Sequence, residues 1–122
     1  MLKVLIIDDG PVEQLMTGSL LKSFGCEVVG ATSGPEGVRI ALDFQPQLVL
    51  LDMIMPGQGG GKTCMQLRLN HYSGRVLLTS ALFDTDVAYA VEQYGADGFI
   101  AKPIRREALL LQLQQLGLLQ PA

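Results

Sequence analysis

No apolar run in the chain approaches the about 20 residues that a membrane-spanning helix needs. The longest, such as LVLL at 48–51 and ALLL at 108–111, are far shorter. The amino terminus, MLKVLIIDD, closes its short apolar run with two aspartates and so reads as no secretory leader. Both points predict a cytoplasmic protein without membrane contact. Basic residues are not in surplus: the formal charge is −3, which argues against a domain that itself contacts nucleic acid through a positive face. Cysteine is scarce, and Cys26 and Cys64 lack C-x-x-C spacing. They are expected as core or half-buried free thiols, not as a disulfide or a metal site. The one histidine, His71, sits in the turn-like NHYSG and is expected at the surface. Repeats, low-complexity segments and linkers do not stand out.

What is present is a globular composition, 48% hydrophobic and 17% charged over 122 residues. Such a length suits one domain that buries a core without disulfides or structural metal. Short continuous apolar runs occur at VLII (4–7), EVVGA (27–31), LVLL (48–51), VLL (76–78) and FIA (99–101). Continuous runs suit strands covered on both faces, as in a parallel sheet. Helix-like segments lie between them. The first is predicted over 11–24, with Val12, Leu15, Met16 and Leu20 on or near one face. Pro11 fits its first turn and Gly25 its stop. Ser33 and Glu36 form a capping box for the second: the Ser33 hydroxyl accepts from Glu36 N–H, and the Glu36 carboxylate reaches back to Ser33 N–H. Pro46 keeps that helix out of the third strand. Further helices are predicted at about 61–69, 84–94 and 104–116. Five βα units in a row mean an α/β fold with right-handed crossovers.

Chemistry gathers where the strands stop. VLII ends in Asp8-Asp9, LVLL in Asp52, VLL in Thr79-Ser80 and FIA in Lys102. In a parallel sheet these ends share one edge, the edge at which open α/β sheets bind ligands. Taken singly, each residue has a plain reading: Asp9 as a helix N-cap, Ser80 or Thr79 as turn residues, Lys102 as a solvated cation. Together they are harder to dismiss. Three carboxylates at one rim repel and call for a cation, and Mg²⁺ takes one or two carboxylates, waters and a phosphate. Lys102 can hold a phosphate oxygen and Ser80 can donate to one. One carboxylate could then act as the nucleophile in phosphoryl transfer.

With these residues in place, the chain resembles the receiver domains of two-component response regulators, chemotaxis regulators among them. The resemblance rests on IIDD (6–9), LLDMIMPG (50–57), TSA (79–81) and FIAKP (99–103), in family order and spacing and across nearly the whole chain. It implies a flavodoxin-like, doubly wound (βα)5 fold with strand order 2-1-3-4-5, and one receiver domain over 1–122. It implies that Asp52 is the phospho-acceptor, and that Asp8, Asp9, Asp52 and the backbone carbonyl of Ile54 hold Mg²⁺. Ser80 and Lys102 would contact the phosphoryl group, with Thr79 a competing hydroxyl, and Lys102–Pro103 would be a cis bond. Ser80 and Phe99 would be the switch pair; Phe99 can also be read as a plain core residue.

The activity so implied is that of a signalling domain, not an enzyme acting on a separate substrate. It catalyses its own aspartyl phosphorylation and dephosphorylation. A histidine kinase or histidine phosphotransfer protein would be the donor. The face made by the fourth helix, fifth strand and fifth helix would pass the signal to a downstream protein or a linked output domain. The leucine-rich last helix, with Gln112, Gln114 and Gln115 marking its outer side, could also support a dimer there. Two departures from the family pattern bear on lifetime. Ile54 and Leu82, two residues after the acceptor and the switch hydroxyl, are apolar and should shield the site from water. Gly10 stands where the family often carries a further polar or acidic residue, and is expected to loosen the first helical turn while leaving the metal ligands in place.

One other motif competes. GQGGGKT (57–63) resembles a phosphate-binding P-loop, G-x-x-x-x-G-K-[ST]. Counting back from Gly61 lands on Pro56, and Gly57 is one residue too close. The loop also follows the third apolar run, not the first. It reads better as a flexible wall beside Asp52, with Lys62 solvated in the first turn of the third helix. A last alternative is a receiver-like interaction module that works without phosphorylation.

Overall fold

The computed structural model describes residues 1–81 and 87–120. Strands β1 (Lys3–Ile7), β2 (Glu27–Ala31), β3 (Leu48–Asp52), β4 (Arg75–Ser80) and β5 (Gly98–Ala101) alternate with helices α1 (Pro11–Ser23), α2 (Gly34–Phe44), α3 (Gly60–Leu69), α4 (Val87–Tyr94) and α5 (Arg106–Gln115). The strands form one parallel sheet in the order β2-β1-β3-β4-β5. This is the flavodoxin-like order. The expected start of α4 near Asp84 and the residue Leu82 lie outside the described residues.

The continuous apolar runs are explained by two cores, one on each face of the sheet. Leu5, Ile7, Val49, Leu51, Val76 and Leu78 point toward α2, α3 and α4, where Val38, Ala41, Cys64 and Leu67 meet them. Val4, Ile6, Leu48, Leu50, Leu77 and Ile100 point the other way, toward Leu21 of α1 and Leu109 and Leu113 of α5. Side chains alternate along a strand, so a strand covered on both faces must be apolar at every position. Both cysteines are buried free thiols. Burial pushes the Cys64 thiol up to about 11.

Two local readings need correction. In α1 the face toward the sheet is Thr17, Gly18 and Leu21, while Val12, Leu15 and Met16 are exposed. At Gly18 a Cβ would meet only Ile6 and Val28, at 4.0 Å, so the approach to the sheet there does not itself require glycine. At α2, Ser33 Oγ accepts from Glu36 N–H (3.3 Å) as expected. The Glu36 carboxylate, however, accepts from Thr32 N–H (2.8 Å), one residue before the predicted partner. Ser33 is extended at the cap, and Glu36 satisfies the neighbouring amide.

At the opposite edge from the strand ends, Asp97 ties β4 to β5. It accepts from Val76 N–H (2.8 Å) and pairs with Arg68 and Arg75 at 3.1 Å each. His71 is exposed in a left-handed turn.

Candidate functional site

The sheet order places β1, β3, β4 and β5 side by side, so the residues that end them lie in a row. Register makes this concrete: Ile7 pairs with Leu51, Asp52 with Thr79, and Ser80 with Ala101. Lys102 N–H donates to the Ser80 carbonyl (2.8 Å), which carries β5 one residue beyond the sheet and delivers its lysine to the rim. The Lys102–Pro103 peptide is cis. The row sits at the point where the chain turns from one side of β1 to the other. Doubly wound sheets bind ligands in the crevice at that point.

Lys102 Nζ bridges two carboxylates, Asp8 Oδ2 at 2.8 Å and Asp52 Oδ2 at 3.1 Å. Each carboxylate gives its other oxygen to a backbone amide. Gly10 N–H donates to Asp8 Oδ1 (2.9 Å) and Ile54 N–H to Asp52 Oδ1 (3.2 Å). Asp8 and Asp52 are buried and Asp9 is exposed. Carboxylate oxygens of the three lie within 4.8 Å of one another. Hard oxygen donors so placed fit a divalent cation such as Mg²⁺. Burial pushes the Asp52 carboxyl above its ordinary range, against the Ile54 amide and Lys102, which pull it down. Burial alone would lower Lys102, but its bonds to Asp8 and Asp52 and their charges hold it above the ordinary lysine value. A desolvated, more basic carboxylate beside a fixed ammonium is suited to attack an electrophilic phosphorus.

Among the other predicted site residues, Ser80 and Thr79 are both buried at the end of β4. Ile54 lies in the turn after Asp52 with its side chain 57% exposed. Phe99 pairs with Leu78 and packs half-buried on the α2–α4 side of the sheet. Its position on β5 suits either expectation for it. Asp9 is not a helix cap: Gly10 holds that position, and no side chain caps α1. Beside Lys102 and Ala81 a cavity of about 300 Å³ opens, lined by Val12, Met16 and Ile104 among others.

The glycine-rich stretch is no phosphate cradle. It follows β3, and Gly60 N–H is spent on the Met53 carbonyl (3.0 Å). Only Gly57 has positive φ. A Cβ on Gly60 would fall 2.4 Å from the Asp52 carbonyl oxygen, so glycine there permits close contact with the end of β3. Gln58 Nε2 donates to Thr63 Oγ1 (3.0 Å) and Gln66 Oε1 (2.8 Å), pinning to α3 a loop that its glycine count predicts to be loose. Lys62 is exposed in the first turn of α3. Sequence reasoning missed Gln58, and it missed Gln14, which donates to three carbonyls around the acidic turn. The available signal was a long polar side chain in the first helical turns, five residues after Asp9.

Comparison with known proteins agrees with this geometry. Residues 4–114 match the response regulator receiver domain family. The chain is 37% identical over 114 residues to a probable C4-dicarboxylate response regulator, DctR, of Priestia megaterium, covering 92% of this chain and 50% of that protein. It is 32% identical over 113 residues to protein PilH of Pseudomonas aeruginosa, covering 90% and 93%. Its fold overlays the chemotaxis protein CheY4 of Vibrio cholerae with a TM-score of 0.89 at 27% identity, covering 95% and 98%.

The fold and the acidic rim thus define a receiver module of two-component signalling. The chain belongs to the response regulator receiver domain family. It spans about half the length of DctR and nearly all of PilH.

Proposed function

We propose that Asp52 accepts a phosphoryl group from the phosphohistidine of a histidine kinase or histidine phosphotransfer protein, and that residues 1–122 act as one receiver domain in the cytoplasm. The observation that carries this reading is the Lys102 ammonium shared between Asp8 and Asp52 (2.8 and 3.1 Å) beside a desolvated Asp52 carboxylate. Asp52 Oδ forms the new O–P bond while the N–P bond of the donor breaks. The electron pair stays on the imidazole nitrogen, which takes a proton from solvent. Lys102 turns from Asp52 toward the phosphoryl oxygens and keeps Asp8 as its second partner. Mg²⁺ held by Asp8, Asp9, Asp52 and the Ile54 carbonyl would neutralise charge on those oxygens.

The buried Ser80 would donate to a phosphoryl oxygen, and Phe99 would respond from the next strand. The signal then passes through α4, β5 and α5. A cleft of about 430 Å³ lined by Phe99, Lys102, Ala108, Leu111 and Gln112 lies on that side. Leu111 is 53% exposed there. A downstream protein, a linked output domain or a second copy would read this face. The phosphoryl group shifts the balance of two conformations only through the contacts it makes differently in each.

Incubation with acetyl phosphate and Mg²⁺, read by intact mass, tests the reading. One added phosphoryl group, lost in Asp52→Asn, is expected. A folded chain that takes none would favour a module working without phosphorylation.

A further inference from the structure

Asp9 differs from its two acidic neighbours. Asp8 and Asp52 are each fixed by Lys102 and by a backbone amide. Among the described residues no hydrogen bond or ion pair holds the Asp9 carboxylate, so only the backbone sets where it points. That backbone is held from one side by Gln14. The Gln14 Nε2 donates to the carbonyls of Ala31 (2.7 Å), Asp8 (3.0 Å) and Ile6 (3.1 Å). Two N–H groups serve three carbonyls, which places the amide between the ends of β1 and β2. The Asp8 carbonyl belongs to the peptide that leads into Asp9. Gln14 N–H also donates to the Gly10 carbonyl (3.0 Å), so the same residue grips the turn on both sides of Asp9.

Gly30 makes room for this arrangement. It is exposed on the edge strand β2, yet a Cβ there would fall 2.5 Å from Gln14 Oε1. A methyl group at position 30 would swing the amide away from its carbonyls. The clash itself is cheap to relieve, because the end of a glutamine is flexible. What is lost is the hold on the turn.

We propose that Gln14, seated on Gly30, is a positioning residue for the divalent-cation site: it fixes the Asp8–Asp9 peptide and thereby the direction in which Asp9 presents its carboxylate. This inference rests on the metal-binding reading given above. Groups that orient metal ligands without touching the ion commonly change affinity by about 10–100-fold when removed.

The test is Mn²⁺ binding, followed by the electron paramagnetic resonance of the free ion, on the whole chain well below its melting temperature. Loss of binding in Asp9→Asn assigns the ion to the turn. The dissociation constant is expected to rise about tenfold in Gln14→Met, which keeps length but has no donor. It is expected to rise in Gly30→Ala as well, and the double variant should be no weaker than Gln14→Met alone. A general loosening of the fold would lower the melting temperature and leave Mn²⁺ affinity in the cold unchanged. If Gln14→Met does not fold, Gly30→Ala at its exposed site carries the test. Unchanged affinity in the folded variants, with wild type binding normally, overturns the role of Gln14 alone. A wild-type chain that binds no Mn²⁺ overturns the metal-binding reading, and this inference with it.

Discussion

The ring of Tyr94, at the end of α4, lies against Gly61 in the first turn of α3, so close that a Cβ at position 61 would fall 2.7 Å from Tyr94 Cζ. One residue earlier, Gly60 lies on the backbone of Asp52. The two glycines therefore bring the end of β3, the start of α3 and the end of α4 into direct contact. Gly61→Ala should destabilise the chain by up to about 2 kcal/mol. Forcing the Tyr94 ring aside costs about 1–3 kcal/mol, which outweighs the up to about 1 kcal/mol that alanine gains over glycine in a helix. Urea unfolding measures this, and Gly61→Ala combined with Tyr94→Leu should recover most of the loss. A Gly61→Ala variant more stable than wild type would mean that the ring yields freely.

Lys102→Met leaves Asp8 and Asp52 facing each other with no cation between them. Both carboxylates are 7% exposed, so their repulsion is poorly screened. Removing one partner of a buried ion pair costs about 3–5 kcal/mol, and the lower end is expected because Asp52 can protonate. The variant should melt below wild type in chelator. It should also regain more of its melting temperature than wild type gains when Mg²⁺ is added, since the ion then supplies the missing charge. Equal Mg²⁺ effects in the two proteins would contradict this account of the rim.

The order of elements and the row of strand ends were legible because they follow from short-range rules. Uninterrupted apolar runs mean two-sided burial, and parallel strands put all their last residues on one edge. Capping at Ser33 was legible for the same reason, and only the far partner of Glu36 slipped by one residue. The inner face of α1 was not legible. Val12, Leu15 and Met16 have the spacing of a buried stripe, yet Thr17, Gly18 and Leu21 form the face that meets the sheet, and no local pattern marks a face that mixes a threonine and a glycine with one leucine. Gln14 and Gly30 were invisible for a related reason. Their relation joins a helix to an edge strand, and no local pattern marks an amide that serves three carbonyls of other segments.

Ile54 follows Asp52, the proposed acceptor, by two residues and has an exposed apolar side chain. Ile54→Asn would place an amide where it can orient a water toward the phosphorus. Aspartyl-phosphate loss in this variant should be faster than in wild type, with Mg²⁺ present in both. The decay of phosphorylated chain by intact mass after removal of the donor measures it. An unchanged lifetime would assign the shielding elsewhere.

Asp52→Asn gives a stability test that needs no phosphodonor. Burial raises the Asp52 carboxyl above its ordinary value of 3.8 in spite of the Ile54 amide and Lys102. The folded chain therefore keeps this proton to higher pH than the unfolded chain does. Where the folded state binds more protons, stability falls as pH rises. The ionised carboxylate thus lowers stability progressively from about pH 4 up to its raised pKa, and the deficit stays constant above it. Asparagine has no such charge to desolvate. Asp52→Asn should be more stable than wild type at pH 7, with the difference shrinking toward pH 4. Lys102 does not disturb this window. Its pKa is raised from 10.5, so Lys102 stays charged across this window and its own titration removes stability only as pH rises through that higher value. Urea midpoints of the two proteins at pH 4 and pH 7 decide the matter: an Asp52→Asn variant less stable at pH 7 would mean that the Lys102 pair outweighs the desolvation of the Asp52 carboxylate.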